Sequence, residues 1–295
     1  MGDLREIGTL GAHTGMMRHP AIAASGNATV PAVASGRDSR PRQCHKQDMD
    51  NTTLIIFVTA TFVFAGFVKG VIGLGLPTIA VGILGVVMAP AQAAALLVVP
   101  NLVTNGWQIA TGPKLGATLK RLWPMLTTIC LGTWAGAGLL QQQKDGSATL
   151  WLGAALILYA LVGLKAAKLR VPVRWEGWLG PVIGFTTGVV TAATGVFVLP
   201  AVPYLQALGF DKDELVQALG ISFIVSTLAL SFGLIGVGAL NGTVAWQSLL
   251  ALVPALIGMG GGQFIRSRIS PATFKICFFA GLLALGAYLC WRSLA

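Results

Sequence analysis

The chain has 295 residues, of which 55% are apolar and 10% charged, and its mean hydropathy is +0.76. An ordinary soluble domain carries about 25% charged residues, so this composition excludes a cytosolic enzyme, and its hydrophobicity excludes a disordered chain. The net charge of +10 does not indicate nucleic acid, because the basic residues are spread between apolar runs and do not cluster with aromatics.

Residues 1–50 stand apart. They hold His13, His19 and His45, which are all the histidines, with six of the twenty basic residues and five of the ten acids. Little periodicity runs through them, so they read as a disordered arm. They contain no apolar stretch of the kind a signal peptide needs. An alternative is that the true start is Met49, where Met-Asp-Asn-Thr-Thr leads straight into the first apolar run.

From residue 51 onward the pattern is that of a membrane protein. Between Asp50 and Lys114 the single charge is Lys69. The runs Leu122–Gln143, Gly146–Leu164, Gly177–Phe210, Leu215–Ile265 and Ile276–Trp291 contain no Asp, Glu, Lys or Arg. About 20 apolar residues cross a bilayer core as a helix, and helices satisfy their own backbone groups in lipid. Alternation of the β-barrel type is absent. The expected fold is an all-α polytopic membrane protein of about 8–10 transmembrane or half-membrane helices.

Within this part the sequence repeats. Gly66-Phe67-Val68-Lys69-Gly70-Val71 returns as Gly184-Phe185-Thr186-Thr187-Gly188-Val189, and Pro124 with Gly132 returns as Pro254 with Gly262. Two membrane repeats follow, about 51–170 and 171–295. Basic residues accumulate in cytoplasmic loops. This places 112–121, 165–176 and 266–275 inside, and 141–148 and 239–244 outside. Loop 239–244 holds in the second repeat the place of 112–121 in the first, on the other side. The two repeats are therefore read as inverted, an arrangement common in secondary transporters.

Segment 177–210 must then leave and return to the same side. It is too short for two spans and too long for one, so a hairpin of short or broken helices is expected, split at Thr191–Gly195. Its counterpart, 51–90, is split at Gly70–Pro77. Six full crossings plus two hairpins result. Paired interruptions of this kind point to a transport site.

The stretch Gly66 to Gly75, its degenerate copy at 184–200, and Ala94 to Asn105 resemble the sulfite exporter TauE/SafE family over about 54–292. One departure is that Gly75-Leu76-Pro77 replaces the usual run of three glycines and a proline. The resemblance implies a permease in the cytoplasmic membrane for sulfite or a related small sulfur-containing organic anion.

Lys69 is the foremost site candidate, since an ionisable group inside a span usually faces a cavity. Otherwise it would reach the interface. Gly70, Gly73 and Gly75 let the helix break, and free N–H groups at the next helix start favour an anion. At the second break Thr191, Thr194 and Gly195 offer uncharged donors. Asn101, Asn105 and Gln108 share a helix face, as do Ser222 and Ser226. These polar faces either line a cavity or join helices. Trp107, Trp123, Trp151, Trp175, Trp178 and Trp246 read as interface anchors.

No acid falls in a predicted span, which argues against a relay of buried carboxylates. The expected partners are a small anionic substrate and the lipid bilayer, without nucleic acid, and a homo-oligomer is left open. No cofactor and no metal is expected: Cys44, Cys130, Cys277 and Cys290 form no CxxC pair, and histidine is lacking from the membrane part. An intramembrane enzyme lacks the His and acid it needs. A membrane scaffold, or a permease for another small anion, remains the alternative.

Overall fold

The computed structural model describes residues 51–137, 147–165, 170–236, 238–266, 268 and 271–294. The arm 1–50, residues 141–146 of one expected outer loop, and Lys168 lie outside them. The described residues are helical and include no strand. In chain order the helices are α1 (Asn51–Ile72), α2 (Leu76–Leu84), α3 (Pro90–Leu96), α4 (Val98–Ala110), α5 (Leu115–Ala135) and α6 (Ser147–Lys165). They continue as α7 (Val173–Thr194), α8 (Ala201–Ala207), α9 (Lys212–Gly236), α10 (Gly242–Ile265) and α11 (Pro271–Leu294).

Both glycine-rich segments break. α1 stops where Gly73 (φ 80°) and Gly75 (φ 105°) take left-handed conformations, and the Gly73 N–H closes on the Lys69 carbonyl at 2.8 Å. Pro77 then starts α2 in its first turn. α7 stops in the same manner at Gly195 (φ 72°), whose N–H bonds the Thr191 carbonyl at 2.8 Å. The chain between α3 and α4 bends by 49°, near Pro100, which has no N–H to give the Leu96 carbonyl. Ser248 of α10 fills that gap: its hydroxyl donates to the Leu96 carbonyl at 2.8 Å and accepts from the Val99 N–H at 3.0 Å.

The expected hairpins differ in shape from what is found. Each has one long arm and one short one: 22 residues in α1 against 9 in α2, and 22 in α7 against 7 in α8. The break falls at Gly73–Gly75, so Gly70 stays helical and uses its bare face for packing. Among the described residues four helices, α1, α9, α10 and α11, are long and apolar enough to cross a membrane, and the bent pair α3–α4 makes a fifth. α5 carries Lys120 and Arg121 near its start, α7 opens with Arg174 and Glu176, and the apolar part of α6 is shorter.

Helix pairs meet through glycine faces with matched residues. A Cβ on Gly66 of α1 would fall on the Ala255 carbonyl of α10, and one on Gly70 on the Met259 carbonyl. A Cβ on Gly184 of α7 would fall on the Met125 carbonyl of α5, and one on Gly188 on the Ile129 carbonyl. In return Gly262 of α10 abuts the Phe67 carbonyl, and Gly132 of α5 abuts the Phe185 carbonyl. Backbone contact this close needs small residues on both helices. Residue numbers rise together along each of these pairs, so both are parallel.

Two other pairs run antiparallel. Across α4 and α9, Asn101 faces Thr227 and the Asn105 carbonyl faces Gly220. Across α6 and α11, Gly153 meets Cys290 while Ile157 meets Gly286. The outer surface is apolar: Ile55, Phe64, Phe232, Val253 and Phe264 all stand in the open, as do the six tryptophans expected at span ends. Such a surface suits hydrocarbon and not water.

Candidate functional site

Lys69 lies one turn before the end of α1 and is 2% exposed. Its burial is by protein. It stands nearer the C-terminal end of its helix than the middle, so it is shielded by packing more than by depth in the span. Its Nζ donates to Oδ1 of Asn105 on α4. Asn105 Nδ2 donates to Asn101 Oδ1 at 2.7 Å, and Asn101 Nδ2 donates to Thr227 Oγ1 on α9 at 2.5 Å. The Thr227 hydroxyl ends the relay on the Phe223 carbonyl at 2.6 Å.

That relay fixes the ammonium without neutralising it. The ion pairs among the described residues are Lys114–Glu214 and Arg121–Glu176, so Lys69 is in no ion pair among them. An ammonium carries three donor hydrogens, and Asn105 is the one hydrogen-bond partner of Lys69 among the described residues. Lys69 also borders a cavity of about 180 Å³, lined by Gly70, Gly73, Gln108, Asp213 and Arg266 among others. This has room for a small oxoanion with several waters.

The break sits beside this cavity. Gln108 Nε2 donates to the Gly73 carbonyl at 2.8 Å, and the buried Gln108 Oε1 has no partner among the described residues. Gly70 packs against Met259 and Gly262 of α10, and Gly75 stands against the Phe278 ring. Below it a strap ties the α4–α5 loop to α9. Gln217 is fully buried, accepts from the Lys114 N–H at 3.1 Å and donates to the Ile109 carbonyl at 3.0 Å. The Lys114 ammonium pairs with Glu214 at 2.5 Å, a bond that holds it above the ordinary lysine range.

The second break is not joined to this cavity. Thr191 and Thr194 donate within α7, to the Thr187 and Val190 carbonyls at 2.7 and 2.8 Å. Thr194 also accepts from the Val196 N–H at 3.2 Å and borders a separate, apolar crevice against α6. Gly195 lies against Ala94 of α3. Ser222 and Ser226 are fully buried on α9, and neither hydroxyl has a partner among the described residues.

Sequence reasoning missed Thr227, Thr78, Asp213 and Arg266. Thr78, near the start of α2, is a further buried hydroxyl without a partner among the described residues. Arg266 is a loop-end charge that served only to orient the chain, and Asp213 counted only as an acid outside the predicted spans. Thr227 carries a helical signal no stronger than its neighbour Ser226, and its role appears only once α9 is seen against α4.

The comparisons agree with this architecture. The family model described as "Sulfite exporter TauE/SafE" matches residues 58–289, whereas neither a curated protein nor a solved structure matches the chain. The match spans nearly all of the described helices, including both breaks and the buried lysine. The chain belongs to the TauE/SafE family of membrane transporters.

Proposed function

We propose that the protein is a secondary permease that moves sulfite, or a related small sulfur-containing organic anion, across the cytoplasmic membrane. The observation that carries this reading is a fully buried ammonium, in no ion pair among the described residues, bordering a cavity of oxoanion size. An uncompensated buried charge costs several kcal/mol by general estimate, and a bound anion offsets that cost. Outward movement of a monoanion from a negative interior gains about 2.3 kcal/mol per 100 mV, so no carboxylate proton relay is needed.

The reading includes two inverted repeats, 51–170 and 171–295. The packing directions support it. In a chain built this way, equivalent helices that touch run antiparallel, as α4 with α9 and α6 with α11 do. Helices from unlike positions, α1 with α10 and α7 with α5, run parallel through matching residues. Cysteine labelling of loops 112–121 and 239–244 tests this: the two react from opposite faces, and reaction from one face overturns it.

The transport reading is tested in proteoliposomes loaded with sulfite, sulfate, thiosulfate or a sulfonate. The wild type moves at least one of them, and Lys69→Ala and Lys69→Gln do not. Absence of any flux, or full flux in both variants, removes the proposal.

A further inference from the structure

On the other side of the α1–α2 break lies a second cavity, of about 190 Å³. Three basic side chains border it from three helix ends: Lys212 at the start of α9, Arg266 at the end of α10 and Lys275 in the first turns of α11. No Asp or Glu borders it. None of the three is in an ion pair among the described residues. The floor is apolar, with Ile72, Phe278 and Phe279, and Lys275 Nζ stands 5.8 Å from the Phe279 ring centre.

The two cavities share a wall. Arg266 and Val216 border both, and Val216 packs against Gly73 at the break itself. Three like charges on one lining that holds no acid repel one another and raise the local concentration of anions, although Asp213 borders the neighbouring cavity. Arg266 and Lys275 belong to a loop that the positive-inside pattern assigns to the cytoplasm, and Lys212 follows segment 177–210, which is expected to return to that side.

We propose that the second cavity is an anion site in series with the Lys69 cavity. It takes the same class of small oxoanion, holds it on Lys212, Lys275 and Arg266, and passes it across the Arg266–Val216 wall. The chain then binds two anions, one on each side of the break. Arg266 contacts both positions. This rests on the permease reading for the Lys69 site, but the two fail in different ways.

Equilibrium binding of radiolabelled sulfite to the full chain in detergent distinguishes them. Expected are two equivalents in the wild type, one in Lys69→Gln, one in the double variant Lys212→Gln/Lys275→Gln, and two in Arg266→Lys. In proteoliposomes the double variant loses about tenfold in flux at low salt, and its flux ceases to depend on ionic strength, since long-range attraction of the anion is gone. A single equivalent in the wild type that vanishes in Lys69→Gln overturns the second site and leaves the permease standing. Undiminished, salt-dependent flux in the double variant also overturns it. Binding of none of sulfite, sulfate, thiosulfate and a sulfonate by the wild type overturns both readings together. The wild-type count needs no variant, so poor folding of the substituted chains does not obscure the result.

Discussion

Replacing Lys69 with Met separates the cost of the lysine from its use. The methionine side chain has similar length and lies in a site that is 2% exposed. Two opposed changes follow for stability. Losing a hydrogen bond to a charged donor costs about 1.5–3 kcal/mol, here the one to Asn105. Removing a charged lysine from a span recovers about 2.5–3.5 kcal/mol on insertion scales. The terms nearly cancel, so the thermal midpoint in detergent should move by no more than a few degrees, in either direction. Transport behaves differently. An anion about 4 Å from an ammonium gains about 4 kcal/mol at an effective dielectric of 20, and water entering the cavity cuts this to about 2 kcal/mol. Each 1.4 kcal/mol is tenfold, so anion affinity falls by about 30- to 1,000-fold. The assay is sulfite uptake by proteoliposomes at matched protein content, with the melting curve of the same preparation. A folded Lys69→Met protein with wild-type affinity would refute the assignment, because the anion would then be held by another group, such as Arg266 on the same cavity, and not by Lys69.

Three further outcomes follow from the same geometry. Gly66→Leu and Gly184→Leu should each prize apart one parallel helix pair and lower stability by similar amounts, roughly 1–3 kcal/mol or more for overpacking; denaturation that affects one and spares the other contradicts the matched packing. Gly75→Ala places a side chain at φ 105° with the Phe278 ring 3.2 Å from its Cβ, so sulfite flux should fall, and a cost of about 1–3 kcal/mol for the strained backbone should appear in the melting curve. Gln217→Leu removes the two Gln217 bonds that tie α4 and the α4–α5 loop to α9 and leaves the Lys114–Glu214 pair, so proteolysis at Lys114 should speed up, whereas an unchanged cleavage rate would show the Gln217 bonds to be idle.

Much of this was legible from residue types, and the reasons can be traced. The break of α1 follows from local chemistry, since Gly73, Gly75 and Pro77 each resist helical continuation or restart it. The bareness of Lys69 was legible because charge is scarce in the runs around it. The partner of Lys69 was half legible: Asn101 and Asn105 share a face by helical spacing, but that this face meets α1 is a tertiary fact. The hairpin arms were misjudged because glycine at 70 and at 73 looks alike in sequence. One is spent on close approach to α10 and the other on a left-handed turn. By length and composition fewer helices qualify as spans than the uncharged runs suggest, because Lys120, Arg121 and Glu176 lie inside the starts of α5 and α7.

The repeated motif also makes the asymmetry of the molecule informative. Matching Gly66 with Gly184 and Gly70 with Gly188 puts Thr187 where the first copy has Lys69, and their glycine neighbours meet equivalent carbonyls. The surroundings of the side chains nevertheless differ. Lys69 donates a hydrogen bond to Asn105, which Asn101 and Thr227 in turn orient, while Thr187 is fully buried and donates to the Ile183 carbonyl of its own helix at 2.7 Å. A lysine moved to the second copy would therefore find the bare helix face but no such relay. In the exchange variant Lys69→Thr/Thr187→Lys the buried ammonium lacks a side-chain acceptor, a penalty of several kcal/mol, and sulfite uptake should be absent although the total charge is conserved. Restored uptake would mean that charge anywhere along the paired breaks suffices. It would remove the Asn105–Asn101–Thr227 relay from the mechanism and leave only the positive potential.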